Sequence, residues 1–440
     1  MESNPSVPVR VCSWAEGEND LAQLRRTVFI EEQQVSEAEE WDGEDVHGLH
    51  FLATMAGTPV GCARLLPDGH IGRMAVLKAW RGQGVGRRLM KVILMEAEKL
   101  KLGHLFLNAQ TRAAGFYTRF GFNPVGTEFL DAHIPHVRME KTLDNFSETL
   151  NARYSLPGKL RIHDAAPGLP IIEITTPDAT ARIAVQGGQV LEWQPRGHRP
   201  VLWVSKAAVY QSGKGVRGGV PVCWPWFGPG AAGMPAHGFV RTRMWEIRET
   251  REDLANSVLV RMGIKNDESS RAMWNHAFDL ELNVTVGAAL KIELTTRNTG
   301  TEAFTLSDAL HTYFRVGDIH QTQVTGLENT NYQDKVREFA RTLQSGPILF
   351  SGETDRIYLD TTADCLIHDL GLGRVIRVAK SGSTSTVVWN PWIEKEKSFS
   401  DMATGEYQDM VCVETTNAGE DEITVSPGKK HTLVVFIGLE

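Results

Sequence analysis

Residues 71–86 read Ile-Gly-Arg-Met-Ala-Val-Leu-Lys-Ala-Trp-Arg-Gly-Gln-Gly-Val-Gly, an apolar strand that runs directly into a glycine-rich loop. The pattern that follows predicts an amphipathic helix over 87–100, whose apolar stripe consists of Leu89, Ile93, Ala97 and Leu100. Glycines allow a tight turn and point successive N–H groups at an anion, and a helix N-terminus adds partial positive charge. This order therefore predicts a pyrophosphate cradle at 81–86, in which Arg81 supplies a full positive charge.

The sequence around this stretch mixes helical and strand periods, which is typical of an α+β domain. Strands are predicted at Val9–Trp14, His50–Ala56, Pro59–Leu65 and His104–Asn108, and further helices at Asp20–Gln33 and before Phe120. We place this domain at residues 1–145 and a polar linker at 146–157.

A second stretch, residues 217–241, opens with Arg217-Gly-Gly and closes with His237-Gly-Phe-Val-Arg241 in a region without helical period. Short strand-like runs recur from 171 to 437, and one of them is 201–204. Two others, 280–286 and 290–297, alternate between apolar and polar residues, and this pair predicts a hairpin. We therefore predict an all-β sandwich over 158–440. No single fold accounts for both stretches, and 440 residues suit two domains.

Composition narrows the function classes. A net charge of −8 argues against nonspecific nucleic-acid binding. The five cysteines are scattered, which is typical of reduced thiols in the cytoplasm rather than of a disulfide framework. We expect neither a signal peptide nor a membrane-spanning segment, and the oligomeric state stays open.

The glycine-rich loop alone is a weak signal. It lacks the terminal Gly-Lys-Ser/Thr of a Walker A loop. No βαβ unit with an acidic ribose partner surrounds it, which argues against a dinucleotide fingerprint. Plain turn glycines at Gly84 and Gly86 are the structural alternative.

The wider context is more specific. The first domain resembles the GNAT N-acetyltransferase family over nearly all of 8–142. The resemblance rests on the order strand, Arg81-x-x-Gly-x-Gly86, helix, strand and helix, and on Phe116-Tyr-Thr-Arg-Phe-Gly-Phe122. The stretches 28–33, 108–110 and 134–139 resemble its small bacterial branch. The resemblance implies acetyl-CoA as co-substrate, held by the backbone of Met74, Ala75 and Val76 and, at its pyrophosphate, by Arg81, Gly82, Gln83, Gly84, Val85 and Gly86.

The resemblance also makes Tyr117 the general acid that protonates the departing CoA thiolate, although a packing role beside Phe116 and Phe120 is an equal alternative. The acceptor amine needs a base. Glu32, His50 and His136 are candidates that the sequence does not separate. The His47-x-x-His50 and His133-x-x-His136 pairs lack a cysteine or a shared helix, so we expect no metal site.

In the second domain, strand alternation places His311 and Tyr313 on the face opposite Leu310 and Phe314. Glu414 lies opposite Val411 and Val413 in the same way. A histidine and a glutamate facing each other suit anomer interconversion, which needs a base at O1 and an acid at the ring oxygen and no cofactor. Arginines suit a sugar phosphate, and tryptophans such as Trp224 and Trp226 can stack on a pyranose.

These segments resemble the aldose 1-epimerase superfamily, and more closely its hexose-6-phosphate mutarotase branch, from about 160 to 440. The resemblance rests on Gly187-Gly-Gln-Val-Leu-Glu-Trp193, Val216-Arg-Gly-Gly-Val-Pro221, His237-Gly-Phe-Val-Arg241, His311-Thr-Tyr-Phe314, Glu353-Thr-Asp355 and Trp389-Asn-Pro-Trp392. It implies that His311 protonates O5, that Glu414 is the base on O1, and that substrate contacts come from Arg217, His237, Arg241 and Asp355. Ala236 stands where some members have glutamine.

The sequence thus predicts a cytoplasmic bifunctional enzyme acting on small molecules, with neither nucleic acid nor membrane as partner. The sugar activity is that of a glucose-6-phosphate 1-epimerase, and the acetyl acceptor is an unidentified amine. Three alternatives stay open: a CoA-binding regulatory module in place of the acetyltransferase, a non-catalytic sugar-binding module, and a hexosamine phosphate as shared substrate.

Overall fold

The computed structural model describes residues 7–100, 102–143, 146–166 and 168–440. The chain divides into two compact units, one ending at Thr149 and the other beginning at Leu150. The segment 146–157, predicted as a linker, contains a helix at Phe146–Tyr154. In the described part of the chain, no helix combines the length and the apolar character needed to cross a bilayer.

The N-terminal unit alternates strands and helices. Its strands are β1 Val9–Cys12, β2 Leu49–Met55, β3 Thr58–Leu65, β4 Ile71–Val76, β5 His104–Gln110, β6 Asn123–Asp131 and β7 Ile134–Thr142. Its helices are α1 Trp14–Arg25, α2 Glu37–Glu40, α3 Val85–Lys99 and α4 Ala114–Thr118, followed by α5 Phe146–Tyr154 at the unit boundary. The helix predicted at Asp20–Gln33 instead begins at Trp14 and continues beyond α1 as a π-helical segment, Arg26–Glu32.

Two sheets make up this unit, with strand orders β1-β2-β3-β4 and β5-β7-β6. They meet at one parallel bridge between His70 and Phe106, near the start of β4 and of β5. In the described chain no ladder joins the two strands beyond that bridge, so β4 is an edge strand toward Val76. Helix α3 packs its apolar stripe on one face of the sheets and α1 packs on the other.

A buried ion network holds the segment between α1 and β2. Arg64 on β3 donates to Asp42 at 2.6 Å and to Asp45 at 2.8 Å, and its side chain is 1% exposed. Arg25 on α1 pairs with Glu40 and with the same Asp45. Asp42 is partly buried, but its hydrogen bond and charge contacts with Arg64 and Arg73 bring its pKa far below its usual range. These pairs fix residues 37–47 against the sheet.

The regular secondary structure of the C-terminal unit consists mainly of strands. They are β8 Leu160–Ala166, β9 Leu169–Thr175, β10 Ala179–Ala184, β11 Gln189–Pro195, β12 Val222–Cys223, β13 Glu246–Glu252, β14 Val258–Lys265, β15 Phe278–Val286, β16 Leu290–Asn298, β17 Phe304–Leu306, β18 Asp308–Leu310, β19 Tyr313–Arg315, β20 Thr322–Thr325, β21 Asn331–Asp334, β22 Ala340–Leu343, β23 Ile348–Leu349, β24 Thr354–Tyr358, β25 Cys365–Asp369, β26 Arg374–Ser381, β27 Ser385–Asn390, β28 Met410–Asn417, β29 Ile423–Val425 and β30 Lys430–Leu439. Two short helices interrupt them, α6 Glu268–Met273 and α7 Trp392–Glu396.

Two large antiparallel sheets carry the sandwich. One has nine strands in the order β13-β14-β15-β16-β30-β26-β25-β20-β23, and the other has β12-β18-β28-β27-β24-β21-β22, with β19 also paired to β28. The predicted hairpin is present as β15 and β16, and Val286 faces Leu290 across its turn. Every second residue of both strands is buried in the core, as alternation requires.

The prediction of a β-strand at Val201–Val204 is wrong, because this segment does not pair continuously with another strand. In this segment Leu202 and Val204 make only isolated bridges, to Phe314 and to Gly218. The segment nevertheless supplies buried apolar side chains to the core. Strand β28 lies in the interior of its sheet, and this position buries Glu414 at the centre of the unit.

Candidate active sites

A cavity of about 330 Å³ opens on the face of the sheet that contains β28. The six residues predicted from the sequence for the sugar site all line it: Arg217, His237, Arg241, His311, Asp355 and Glu414. They come from separate strands and loops, so only the fold brings them together. The volume is in the range of small-ligand pockets.

The His311 and Glu414 side chains face each other in this cavity. Nε2 of His311 lies 3.5 Å from Oε1 of Glu414, and the two side chains are 13% and 1% exposed. His311 occupies the break between β18 and β19, where its backbone N–H donates to the Pro221 carbonyl. Nδ1 of His311 and Oε2 of Glu414 are buried without a hydrogen-bond partner in the structure, which leaves them for a ligand.

Burial shifts both groups toward their neutral forms. Desolvation, followed by the charges of His237, Arg217 and Arg241, holds the pKa of His311 well below its usual value. Desolvation, reinforced by Asp355, raises the pKa of Glu414 well above its usual value. Both shifts act in the same sense: they favour a neutral imidazole beside a protonated carboxyl group over the imidazolium–carboxylate form.

His237 is held in an unusual backbone conformation beside the pair. Its φ of 63° is in the left-handed region, and its ring lies 5.8 Å from that of His311. The Gly228 N–H donates to Nδ1 of His237, so the ring proton is on Nε2. Burial, with the charges of Arg241 and Lys335, lowers the pKa of His237 to about 3, so the ring is a neutral donor at neutral pH.

The two arginines of the site differ in their contacts. Arg217 donates to Asp401 at 3.0 Å and to the Tyr313 hydroxyl at 3.3 Å, and its guanidinium lies 4.3 Å from the Phe399 ring centre. Arg241 has no hydrogen-bond or ion-pair partner within the described chain. A partly buried cation without a counter-ion is well placed to bind an anion.

A second cavity of about 420 Å³ adjoins the first and shares Arg217, Arg241 and Tyr313 with it. Its remaining lining includes Lys214, Ser398 and Ser400. The two arginines therefore lie where the two cavities meet, in a region with a further cation and hydroxyl groups.

Several lining residues were not predicted from the sequence. Lys335 pairs with Asp355 at 3.0 Å, and Lys395 also lines the cavity. Both lysines come from short helical segments between strands, where no sequence pattern marks them. Asp355 keeps one buried oxygen, Oδ1, without a partner, and burial raises the pKa of its carboxyl group.

The aromatic lining differs from the expectation that Trp224 or Trp226 stacks on sugar. Trp224 is fully buried in the core, where its indole N–H donates to Thr296, and Trp226 does not line the cavity. The aromatic walls are instead Phe227, Tyr313, Trp389 and Phe399. Ala236, which replaces a glutamine of some relatives, also lines the cavity, so no side-chain amide reaches substrate from that position.

The glycine-rich loop of the N-terminal unit has the backbone geometry of an anion cradle. Gly82 and Gly84 have φ of 77° and 85°, and a Cβ at either position would meet no atom within 4 Å. Gly84 is the N-cap of α3 and provides no side-chain cap, so no N-cap side chain satisfies the first N–H groups of this helix. Arg81 is engaged outside the cradle: it pairs with Glu32 through two contacts of 2.6 and 2.7 Å and donates to the Val76 carbonyl.

The predicted pantetheine segment and the predicted acid are neighbours. Met74, Ala75 and Val76 form the end of β4, whose outer edge has no strand partner in the described chain beyond the bridge to β5. The Tyr117 hydroxyl donates to Sδ of Met74 at 3.6 Å, and burial raises the pKa of Tyr117 to about 12. The phenol therefore keeps its proton at neutral pH and can donate it.

The three candidate bases have different surroundings. Glu32 is held by Arg81, which lowers its pKa. His50 is buried and donates from Nε2 to the Asp45 carbonyl. His136 donates from Nδ1 to the Ile134 carbonyl, so its Nε2 keeps a free lone pair.

A cavity of about 340 Å³ lies beside this part of the fold, lined by Glu32, Gln33, Gln110, Thr111, Arg112, Ile134 and Pro135. Neither predicted histidine pair, at 47/50 or 133/136, belongs to a cluster of three metal-ligating groups among the described residues.

The fold and the sites define a chain of two enzyme units. One is a β-sandwich with a buried histidine–glutamate pair in a cavity that cations line. The other is an α+β unit whose glycine-rich loop, with the geometry of an anion cradle, follows β4. Residues 170–437 match the aldose 1-epimerase family, and the chain belongs to that family. Residues 18–143 match the acetyltransferase (GNAT) domain.

Individual relatives agree with both matches. An Escherichia coli (strain K12) protein whose name provisionally assigns it as a glucose-6-phosphate 1-epimerase is 38% identical over 265 residues, which are 60% of this chain and 88% of that protein. The solved structure of a provisionally assigned mutarotase from Salmonella typhimurium is 35% identical, covers 65% of this chain and 95% of that one, and has a TM-score of 0.61.

The N-terminal unit has its own relative. A provisionally assigned acetyltransferase of Bacillus subtilis (strain 168) is 36% identical over 129 residues, which are 28% of this chain and 88% of that protein. The predictions of a GNAT unit followed by a mutarotase-like β-sandwich are confirmed. The chain is a bifunctional enzyme that joins a mutarotase with an acetyltransferase.

Proposed function

We propose that the C-terminal unit interconverts the α and β anomers of a hexose 6-phosphate, with glucose 6-phosphate as the preferred substrate. The observation that carries this proposal is the separation of 3.5 Å between His311 and Glu414 inside a polar cavity. One base and one acid at that spacing can serve O1 and O5 of the same pyranose.

In the proposed reaction, Glu414 takes the proton from the O1 hydroxyl while His311 protonates O5. The C1–O5 bond breaks and leaves an open-chain aldehyde. Rotation about C1–C2 presents the other face of the carbonyl to O5, and the reverse proton transfers close the ring as the other anomer. No proton is gained or lost overall, so the pair is regenerated at the end of each cycle.

The substrate phosphate helps to set the protonation state that this reaction needs. Without substrate, the charges of Arg217 and Arg241 disfavour a proton on His311. A bound dianion neutralises both arginines and so favours transfer of the shared proton from Glu414 to His311. We propose that Arg241, which lacks a counter-ion in the described chain, binds the phosphate with Arg217. Asp355, through its unpartnered Oδ1, and His237 then bind sugar hydroxyls.

The test is NMR exchange spectroscopy on glucose 6-phosphate with wild type, Glu414→Gln and Glu394→Gln. Glu394 is 81% exposed on α7 and serves as the control. Loss of one general acid–base group costs about 10²–10⁴-fold in rate. We expect Glu414→Gln to lose that much and Glu394→Gln to match wild type. If wild type does not accelerate exchange, the proposed activity is excluded. If Glu414→Gln remains fully active, the proposed role of Glu414 as the base is excluded.

We propose that the N-terminal unit uses acetyl-CoA to acetylate an amine. When bound, acetyl-CoA supplies the activated acetyl group. The open edge of Met74–Val76 binds its pantetheine arm, and the N–H groups of residues 82–86 bind its pyrophosphate. Arg81 joins them after release from Glu32. Tyr117 is the proton donor to the leaving thiolate, and His136 is the base. Glu32 is ion-paired with Arg81, and burial lowers the pKa of His50, whereas His136 keeps a lone pair on Nε2.

Two glycines allow a matched test of the cradle. Gly57 and Gly84 have φ of 80° and 85°, and a Cβ added to either would meet no atom within 4 Å, so alanine strains both equally. We expect Gly84→Ala to weaken acetyl-CoA binding in isothermal titration and Gly57→Ala to leave it unchanged. Equal effects would show that the loop does not bind the co-substrate. Release of free CoA with a panel of amines, glucosamine 6-phosphate included, then identifies the acceptor. A cytoplasmic location completes the proposal, since all five cysteines are free and buried.

A further inference from the structure

The cluster His311, Cys412 and Glu414 unites an imidazole, a thiol and a carboxylate at the centre of the C-terminal unit. Their ligand atoms all lie within 4.8 Å of one another, and this is the one such group of three among the described residues. Cys412 and Glu414 are two residues apart on β28, so alternation directs both side chains to the same face.

We propose that this cluster is a binding site for a thiophilic divalent cation, of which Zn²⁺ is the best fit. Zinc takes nitrogen, sulfur and oxygen ligands together in tetrahedral sites, and a site with three protein ligands keeps its fourth position open. Here the fourth position faces the cavity, which His311 and Glu414 line.

The spacing supports a tetrahedral ion. Bonds of about 2.0–2.1 Å to nitrogen and oxygen at a tetrahedral angle put those two atoms about 3.4 Å apart. Nε2 of His311 and Oε1 of Glu414 are 3.5 Å apart. The sulfur requires about 3.6 Å to each of the other ligands, so the observed limit of 4.8 Å demands a shift of at most about 1.2 Å.

Charge also favours binding. A thiolate, a carboxylate and a neutral imidazole around Zn²⁺ give a complex without net charge, which tolerates burial and is not repelled by Arg217 or Arg241. The second carboxylate oxygen of Glu414, Oε2, has no hydrogen-bond partner in the structure, so binding of a cation by this carboxylate breaks no hydrogen bond at that atom. Access is through the cavity, because Cys412 itself is 0% exposed.

The consequence of binding rests on the proposed function. The metal occupies the lone pairs of both the acid and the base, so the loaded protein cannot move protons to and from the sugar. Zn²⁺ and hexose phosphate therefore exclude each other, and the metal is an inhibitor that needs Cys412 although the sugar chemistry does not use the thiol.

The experiment uses the full-length protein after removal of metals with EDTA. Isothermal titration with Zn²⁺ and the absorption spectrum with Co²⁺ are compared for wild type, Cys412→Ala and Cys223→Ala. Cys223 is the control, because it is equally buried, on β12 of the same sheet, and lies outside the ligand set. Loss of an outer-shell partner alone typically costs 10–100-fold in metal affinity, so loss of a ligand should cost more than about 100-fold.

We expect wild type and Cys223→Ala to bind Zn²⁺ at this site and to show the thiolate-to-Co²⁺ charge-transfer band. Cys412→Ala should lose that band and more than about 100-fold in affinity. Equal isotherms for wild type and Cys412→Ala, or a Co²⁺ spectrum without a sulfur band, would overturn the proposal. If Cys412→Ala does not fold, Glu414→Gln replaces it, with the same loss of affinity expected and an unchanged isotherm overturning the proposal. These readouts do not depend on catalysis, so they stand even if anomer exchange is absent.

Discussion

The ring of Tyr313 lies face to face with the ring of His311, with centroids 4.8 Å apart and planes at 11°, while its hydroxyl accepts a hydrogen bond from Arg217. One side chain thus fixes the imidazole plane and links it to the cation proposed to bind phosphate. Asp401 holds the same guanidinium from the other side. We therefore propose that Tyr313 is a positioning residue between the proposed acid, His311, and Arg217.

Two substitutions separate the two contacts of Tyr313. Tyr313→Phe keeps the stacked ring and removes the hydroxyl, so KM for glucose 6-phosphate should rise by about 3–10-fold with kcat nearly unchanged, the effect of one hydrogen bond worth about 1 kcal/mol. Tyr313→Leu also removes the ring that fixes His311, so kcat should fall as well. Steady-state anomer exchange measures both parameters. Identical kinetics for the two variants would show that stacking does not orient the imidazole.

The opposite pKa shifts of His311 and Glu414 predict a broad pH optimum. Because the pKa of His311 is lowered, the pair takes up a second proton only at a pH below the usual imidazole pKa. Because the pKa of Glu414 is raised, the pair loses its shared proton only at a pH above the usual carboxyl pKa. The free enzyme therefore keeps the singly protonated pair over a broad pH range, and kcat/KM should be flat between an acid limb below pH 6.5 and an alkaline limb well above pH 4.5.

The measurement for this prediction is kcat/KM from acid to alkaline pH, which reports the free enzyme, after subtraction of the buffer-catalysed rate. Correction of the profile for the titration of the substrate phosphate leaves the limbs that belong to the protein. A single limb centred near the usual imidazole value would mean that His311 titrates as an exposed histidine. His237, whose pKa is about 3, does not contribute a limb near neutrality.

The sequence identified some of the residues that line the candidate sugar site, but not all of them. His311, Glu414 and the two arginines were found because strand alternation or short ordered motifs mark them. Lys335 and Asp401 were not, because they reach the site from connections between strands, whose course depends on tertiary packing. The hydrophobic periodicity of a sequence does not predict which loop will lie beside a cavity.

The same division applies to the fold. Apolar runs in the core, such as the β15–β16 hairpin, were predicted, whereas the charged strand Glu246–Glu252 was missed. That strand lies at the edge of the nine-stranded sheet, where exposed charges are favoured and the alternating pattern is lost. Conversely, Val201–Val204 has the apolar composition of a strand but makes only isolated bridges. Its composition is misleading because loop residues can also contribute buried apolar side chains to the core.

Arg241 should decide the preference for phosphorylated sugars. Its guanidinium lacks a partner in the described chain, so Arg241→Gln breaks no internal ion pair there. A charge-assisted hydrogen bond is worth about 1.5–3 kcal/mol, so kcat/KM for glucose 6-phosphate should fall by about 10–100-fold. The rate with unphosphorylated glucose should not fall, because no phosphate contact is lost and removal of the Arg241 charge favours the proton on His311. Arg161→Gln, at a side chain 74% exposed in the same unit, is the control. An equal loss on both sugars would place Arg241 at the pyranose rather than at the phosphate.

The buried ion network of the N-terminal unit should be essential for its stability, in contrast to a surface pair of the same geometry. Arg64, 1% exposed, and Arg26, 48% exposed, each contact a carboxylate at 2.6 Å. Arg64→Ala leaves Asp42 and Asp45 without one of their counter-ions, which costs about 3–5 kcal/mol of unfolding free energy when the site is buried. Arg26→Ala removes an exposed pair with Glu37 worth about 0–1 kcal/mol. Denaturant unfolding of the N-terminal unit within the full chain measures both. Similar losses for the two variants would show that water reaches the network and screens it.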